Sequence, residues 1–171
     1  MLPPHAPPSF SDRSTLWNSV EQTEKSNNSQ LAREIELALP VELSREEQTR
    51  LVREYCSSQF VSKGMCADFN IHDTGSGNPH AHILLTMRPL DEKGAWAAKS
   101  KKEYVLDESG EKILLPSGRY KTRKIDLMDW NRQENADLWR KAWADMANDF
   151  LEQNGSAERI DCLLYTSPSP R

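Results

Sequence analysis

The sequence has few cysteines, no long apolar run and no export signal at its start. The three cysteines among 171 residues are an odd number and include no C-x-x-C pair, which excludes a disulfide framework and a cysteine zinc site. No apolar run approaches the roughly 20 residues of a membrane-spanning helix. No charged n-region, apolar stretch and small-residue cleavage site open the chain. We therefore expect a soluble protein of the cytoplasm.

Apolar residues make up only 37% of the chain, so the core is expected to be modest. The length suits one domain. Residues 1–10 hold four prolines and no periodic pattern, and are predicted to form an extended arm. The domain itself is predicted over residues 11–161. Residues 162–171 abandon the pattern and resemble a translated sequencing adaptor, so they are interpreted as an artefact without function.

Hydrophobic periodicity predicts an α+β fold. Helices are predicted to begin after Asp12, after the capping box that opens at Ser44, and after Asp129. Alternation of apolar and polar residues predicts three strands: residues 31–39, 65–72 and 80–87. The last two strands are separated by seven turn-forming residues, 73–79, which favours an antiparallel hairpin with a long loop.

Three of the four histidines fall at that hairpin. His80 and His82 are two positions apart on one strand, so both project from the same face. His72 ends the preceding strand, and the antiparallel pairing sets it across the loop mouth from His80. Three converging imidazoles suit a divalent ion such as Zn²⁺, Mn²⁺, Mg²⁺ or Ni²⁺ with an open coordination position. The alternative is that all three are partly exposed hairpin histidines.

Glu34 and Glu36 form a second pair, on one face of the first predicted strand. Carboxylates so placed could orient a metal-bound histidine or accept a proton. They could equally be solvent-facing residues of a half-exposed strand.

Charge is distributed unevenly along the chain. The net charge is −4, yet residues 88–124 carry ten basic against six acidic residues. This segment is predicted to be a loop with a small hairpin, in which residues 102–106 face residues 111–115. Basic residues with tyrosines nearby favour a polyanion such as nucleic acid, while a solvated charged hairpin is the other interpretation. The candidate DNA-binding residues are Lys99, Lys101, Lys102, Arg119, Lys121, Arg123 and Lys124.

Three stretches of sequence resemble the MobA/MobL relaxases, which are mobilisation proteins of the HUH endonuclease class. They are LAREIELALP at 31–40, GMCADFNIH at 64–72 and GNPHAHILLTMR at 77–88, and the resemblance extends over residues 11–161. It implies an antiparallel sheet with helices packed mainly on one face and the metal site on the other. It also implies a nickase that acts on single-stranded DNA of a plasmid transfer origin, with other relaxosome proteins as partners.

The resemblance assigns roles to the candidate residues. His72, His80 and His82 match the family's metal triad, whose ion polarises the scissile phosphate. Glu34 and Glu36 match its acidic pair. A tyrosine of the family attacks the DNA strand and stays bound to its 5′ phosphate.

The chain departs from the family pattern at that tyrosine. The family's nucleophile lies in an N-terminal strand-and-helix segment, and this chain begins after it. The four tyrosines present, namely Tyr55, Tyr104, Tyr120 and Tyr165, occupy other contexts. We therefore expect a fragment that keeps the metal platform, lacks the nucleophile and leaves one sheet edge unprotected. It is expected to bind single-stranded DNA weakly and not to cleave it.

Two other functions remain compatible with the residues. One is a metal-dependent phosphohydrolase that uses a water nucleophile, although Leu84 stands where an alternating histidine triad would need its third member. The other is a non-enzymatic module that binds single-stranded DNA without a metal.

Overall fold

Helices and antiparallel strands build the computed structural model of this protein, which describes residues 1–75 and 77–161. Residues 162–171, interpreted above as an artefact, lie outside the described residues. The described helices are α1 (Arg13–Thr23), α2 (Arg45–Gln59) and α3 (Glu134–Gln153). The described strands are β1 (Ala32–Ala38), β2 (Ala67–His72), β3 (His80–Thr86), β4 (Ser100–Tyr104) and β5 (Thr122–Asp126). The α+β prediction is confirmed.

The first three strands form one sheet in the order β1-β3-β2, with both pairings antiparallel. Strand β3 is therefore central, and its histidines have neighbours on both sides. Glu36 pairs with His82 across β1 and β3, while His72 pairs with His80 across β2 and β3. Because side chains directly opposite each other share a face, this register gathers the candidate residues on one side of the sheet.

The other face of the sheet carries the main core, against which α2 and α3 pack. Ile83 and Leu85 of β3 are fully buried there beside Leu51 of α2 and Phe150 of α3. The predicted capping box at the start of α2 is confirmed, since Ser44 and Glu47 exchange side-chain-to-backbone hydrogen bonds. Two of the three described helices thus lie on one face, as the resemblance implied.

Helix α1 packs on the same face as the histidines, but at the far end of the strands. Its Leu16 and Val20 join Phe10, Cys66 and Leu90 in a second, smaller cluster. A buried ion pair extends this cluster, because Glu24 at the end of α1 lies 3.0 Å from Arg88 Nε and 2.7 Å from Lys99 Nζ. The histidine end of this face is left uncovered by helices among the described residues.

The prediction of an extended arm over residues 1–10 is wrong. Backbone hydrogen bonds join Met1 to Ala67 in both directions, and Pro8–Ser11 form a short 3-10 helix. The chain folds back because its prolines fix φ near the values of turns and because Phe10 stacks on Trp96, with ring centroids 5.4 Å apart.

The prediction that Asp129 caps α3 is also wrong. The helix begins at Glu134, after Gln133, whose side chain makes no capping bond. Residues 129–132 form a turn that buries Trp130, and the guanidinium of Arg33 donates to the Trp130 carbonyl. The indole of Trp130 is thus buried in the core four residues before the first residue of α3.

The basic segment pairs differently from the prediction. Strand β4 pairs with β5, so that Lys102 faces Lys124. The predicted pairing of residues 102–106 with 111–115 survives only as a bridge between Leu106 and Lys112. A second turn follows, closed by Leu115 N–H donating to the Arg119 carbonyl at 2.8 Å, and it redirects the chain toward β5.

Strand β1 has a neighbour on one side only within the described residues. A cavity of about 530 Å³ is lined by β1, by Tyr55 of α2, by residues of α3 and of the turn before it, and by Ile160. The indole nitrogen of Trp139 is buried among these residues and has no hydrogen-bond partner in the part of the chain that the structure describes. Within the described residues, β1 is thus an edge strand of the three-stranded sheet.

Candidate metal centre

The three histidines of the β2–β3 hairpin converge on the uncovered face of the sheet. Each offers a ring nitrogen, and the three nitrogens lie within 4.8 Å of one another. The ring centroids are 4.7 Å apart for His72 and His82, 5.0 Å for His80 and His82, and 5.5 Å for His72 and His80. Two zinc–nitrogen bonds of about 2.0–2.1 Å span at most about 4.2 Å, so one cation binds all three nitrogens once the rings move together by a few tenths of an ångström.

The strands explain why these side chains meet. His80 and His82 lie on β3 with one intervening residue, and the register sets His72 directly opposite His80. The pairing of β1 with β3 is prolonged toward the loop by a hydrogen bond from Leu39 N–H to the Pro79 carbonyl, 2.9 Å long. The backbone of His80 is therefore paired with a neighbouring strand on each side.

Hydrogen bonds fix the proton position on two of the rings. His82 Nδ1 lies 2.8 Å from a carboxylate oxygen of Glu34, and His80 Nδ1 lies 3.0 Å from the Asn78 carbonyl oxygen. Carbonyl and ionised carboxylate oxygens only accept hydrogen bonds, so each Nδ1 donates. In the neutral ring Nε2 then keeps its lone pair, which is the arrangement that metal-binding histidines adopt.

The donor set fits a divalent metal. Imidazole nitrogens suit Zn²⁺ and Ni²⁺, whereas Mn²⁺ and Mg²⁺ prefer oxygen ligands that water or a phosphate would have to add. His72 is exposed, while His80 and His82 are half-buried. Three protein ligands with one open side are typical of a catalytic rather than a structural site.

Glu34 and Glu36 occupy different positions beside the triad. Glu36 lies directly opposite His82 in the register, whereas Glu34 reaches the His82 ring diagonally and contacts it. Both residues are exposed. Glu34, rather than Glu36, is therefore the carboxylate that contacts a ring of the triad.

Several of the seven candidate DNA-binding residues have acidic partners. Lys99 pairs with the buried carboxylate of Glu24, which is 6% exposed, and also donates to the Gln30 carbonyl. Lys101 and Arg123 both approach Glu103, at 3.6 and 2.9 Å. Lys124 lies 2.9 Å from Asp126.

The other candidates are exposed and form no ion pair within the described residues, namely Lys102, Arg119 and Lys121. Lys112, which sequence reasoning did not single out, lies 4.0 Å from the Tyr104 ring and 5.6 Å from the Tyr120 ring. The two tyrosine rings are 5.9 Å apart and about half exposed. The hairpin therefore presents aromatic and cationic groups together.

Comparison with known proteins identifies the family of this chain. The model of the MobA/MobL family matches residues 1–167. This chain belongs to the MobA/MobL family. It is 38% identical over 151 residues to "Conjugal transfer protein TraA" of Agrobacterium fabrum, which covers 88% of this chain and 13% of that protein. It is 34% identical over 177 residues to "Probable mobilization protein MobA" of Bifidobacterium longum, which covers 94% of this chain and 31% of that protein.

A solved structure shares the fold. It is described as "Molecular Basis of Vancomycin Resistance Transfer in Staphylococcus aureus", with a TM-score of 0.76 and 35% identity over 95% of this chain and 72% of that one. The chain thus spans 13% and 31% of the length of these two curated MobA/MobL relatives. Among the described residues, no helix is long and apolar enough to cross a membrane.

Proposed function

We propose that this chain carries the metal centre of a relaxase that nicks and rejoins one DNA strand at a plasmid transfer origin. The observation that supports this most is the convergence of His72, His80 and His82, with Nε2 left as the lone-pair nitrogen on two of them. Membership of the MobA/MobL family supplies the reaction class. The protein is expected to act in the cytoplasm on single-stranded DNA, alongside other relaxosome proteins.

The residues of this centre have different roles in the proposed reaction. His72, His80 and His82 hold a divalent ion, which when bound polarises the scissile phosphate. Glu34 keeps a proton on His82 Nδ1 and thereby presents Nε2 to the ion. Glu36, exposed and directly opposite His82, is placed to hold or accept a proton beside the reacting phosphate.

The attacking hydroxyl is not supplied by the tyrosines of the described residues. Tyr55 is 1% exposed and lies in the core, where its hydroxyl donates to the Trp139 carbonyl at 2.9 Å. Desolvation by burial also raises its pKa well above the ordinary value, so it resists forming the phenolate. Tyr104 and Tyr120 lie on the basic hairpin.

A DNA assay tests this function. The full chain is mixed with a labelled single-stranded transfer-origin oligonucleotide, with and without Mn²⁺, and analysed by fluorescence anisotropy and denaturing electrophoresis. We expect weak binding that Mn²⁺ strengthens, and no cleaved product. His82→Ala should abolish the effect of Mn²⁺, while His5→Ala should keep it, because His5 is the fourth histidine and lies outside the triad.

Other outcomes would contradict the proposal in different ways. A covalent protein–DNA adduct would show that a tyrosine of this chain is the nucleophile. Cleavage without an adduct would favour the phosphohydrolase that uses water. DNA binding that is the same with and without metal, and in every histidine variant, would favour the non-enzymatic module.

A further inference from the structure

Two side chains of helix α1 meet the histidine-bearing face of the sheet at Asp68. Arg13 Nε and Trp17 Nε1 both donate to the same carboxylate oxygen of Asp68, over 2.8 and 3.0 Å. Asp68 lies on β2 four positions before His72, and strand residues separated by an even number point to the same face. The indole of Trp17 is therefore anchored over the face that carries the triad.

This anchor, which consists of Asp68 with Arg13 and Trp17 bound to it, lies a short distance from the metal centre. Four strand residues span about 13 Å at 3.3 Å per residue. Stacked nucleotides of one strand rise about 3.4 Å each, so about four nucleotides cover that distance. On this face Asn70 lies between Asp68 and His72 along β2, and Leu84 lies opposite Asp68 on β3, so the strand residues next to Asp68 are uncharged.

The side chains of this anchor are exposed in a way that allows contact with a ligand. The Asp68 side chain is 13% exposed and that of Arg13 is 57% exposed, so the cation rather than the carboxylate faces solvent. Trp17 is half-buried, since it packs against the second cluster and keeps part of its surface accessible. A fixed aromatic ring beside an accessible guanidinium is the combination that binds a nucleotide, by base stacking and by phosphate pairing.

We propose that Trp17 and Arg13, held in place by Asp68, form a nucleotide-binding subsite that positions the substrate strand beside the metal centre. This rests on the proposed function, because it takes the DNA strand to cross the histidine-bearing face. Trp17 stacks on a base, Arg13 pairs with a phosphate, and Asp68 acts only through them as a positioning residue.

Photochemical cross-linking tests the subsite in the unaltered chain. The protein is irradiated with a single-stranded oligonucleotide that contains 5-bromodeoxyuridine, and is then digested with trypsin and analysed by mass spectrometry. Cleavage after Arg13 and Lys25 releases residues 14–25, in which Trp17 is the only aromatic residue. We expect a nucleotide adduct on Trp17. Adducts confined to the hairpin peptides would overturn the proposal.

Matched variants separate DNA binding from packing. Trp17→Leu should weaken binding of a labelled single-stranded oligonucleotide about 5- to 100-fold, because stacking on one aromatic is worth about 1–3 kcal/mol and 1.4 kcal/mol is tenfold. Trp96→Leu is the control, since Trp96 packs against the same cluster and donates to Ser19 Oγ rather than to Asp68. It should leave DNA affinity unchanged, and both variants should keep the wild-type Zn²⁺ affinity.

The outcomes distinguish the subsite from the function on which it rests. Equal loss of DNA affinity in both variants, or no loss in Trp17→Leu, would overturn the subsite and leave the metal centre untouched. An unaltered chain that binds no single-stranded DNA would contradict the proposed function and the subsite together. Arg13→Gln should lower affinity and reduce its salt dependence by about 0.7 in log–log slope, the value for one phosphate contact on a single strand.

Discussion

A carboxylate oxygen of Glu34 lies 2.8 Å from Nδ1 of His82, across the β1–β3 pairing. The contact joins residues 48 positions apart in the chain and determines which nitrogen of the ring is free to bind a metal. The two glutamates of β1 are therefore expected to differ in their effects on the site.

The first prediction separates Glu34 from Glu36. Glu34→Ala should weaken Zn²⁺ binding about 10- to 100-fold, the cost of losing a partner that orients a metal-binding histidine. Glu36→Ala, on the same strand face, should change it less than threefold, about 0.7 kcal/mol. Competition with a chromophoric chelator measures both affinities. Equal losses in the two variants would show that charge near the site matters rather than the contact with His82.

The second prediction concerns the buried ion pairs of Glu24. Desolvation raises the pKa of this carboxyl, but the hydrogen bonds and charges of Arg88 and Lys99 outweigh it, so the net pKa lies below its ordinary value. A carboxyl with a depressed folded-state pKa stabilises the protein above its unfolded-state pKa, and this contribution is lost as pH falls through the folded-state value. Glu24→Gln should therefore lower the free energy of unfolding at pH 7 by about 1–3 kcal/mol.

Urea unfolding at pH 7 and at about pH 3 checks this sign. The difference between Glu24→Gln and the unaltered chain should shrink as pH falls toward and through the depressed folded-state pKa of Glu24, because protonation removes the charge that Arg88 and Lys99 stabilise. Glu21→Gln is the control on the same helix, where Glu21 is exposed. A difference that stays constant or grows at low pH would contradict the assignment.

The third prediction sorts the basic residues of the hairpin. Replacing Lys102, Arg119 and Lys121 together by glutamine should lower the affinity for single-stranded DNA and reduce the log–log salt slope by about 2, because each phosphate contact contributes about 0.7. Replacing Lys101, Arg123 and Lys124 should have a smaller effect, since Glu103 and Asp126 already pair with them. Anisotropy titrations at several salt concentrations measure both slopes. Identical slopes for the two triple variants would refute this division.

The fourth prediction uses the buried tyrosine. Tyr55→Phe removes the hydrogen bond to the Trp139 carbonyl and should lower the free energy of unfolding by about 0.5–1.5 kcal/mol. It should leave both DNA binding and metal binding unchanged, because Tyr55 lies on the core side of the sheet. A loss of either binding activity at unchanged stability would place Tyr55 in the functional site.

Local patterns predicted much of this arrangement. The alternation in β2 and β3 was enough to place His72, His80 and His82 on one face. Side chains of a strand alternate between the two faces of the sheet, so the apolar residues on one face determine which residues lie on the other. The capping box at Ser44 likewise depends on neighbours within one turn. The candidate site could therefore be located before its geometry was known.

Long-range contacts could not be predicted in this way. The start of α3 is displaced from Asp129 because Trp130 is buried and bonded to Arg33, 97 positions away. The orientation of His80 depends on a main-chain carbonyl, at Asn78, which no side-chain pattern reveals. The pairing of β4 with β5 depends on a second turn, within a segment whose sequence pattern predicts a single hairpin.

The central claim is that three histidines of one hairpin form a single metal site. Isothermal titration of the full chain with Zn²⁺ tests it directly, using His72→Ala, His80→Ala and His82→Ala, with His5→Ala as the matched control. The account predicts one ion per chain for the unaltered protein and for His5→Ala, with affinity at least tenfold lower in each triad variant. Unsaturable binding, or equal affinity in all four variants, would contradict it.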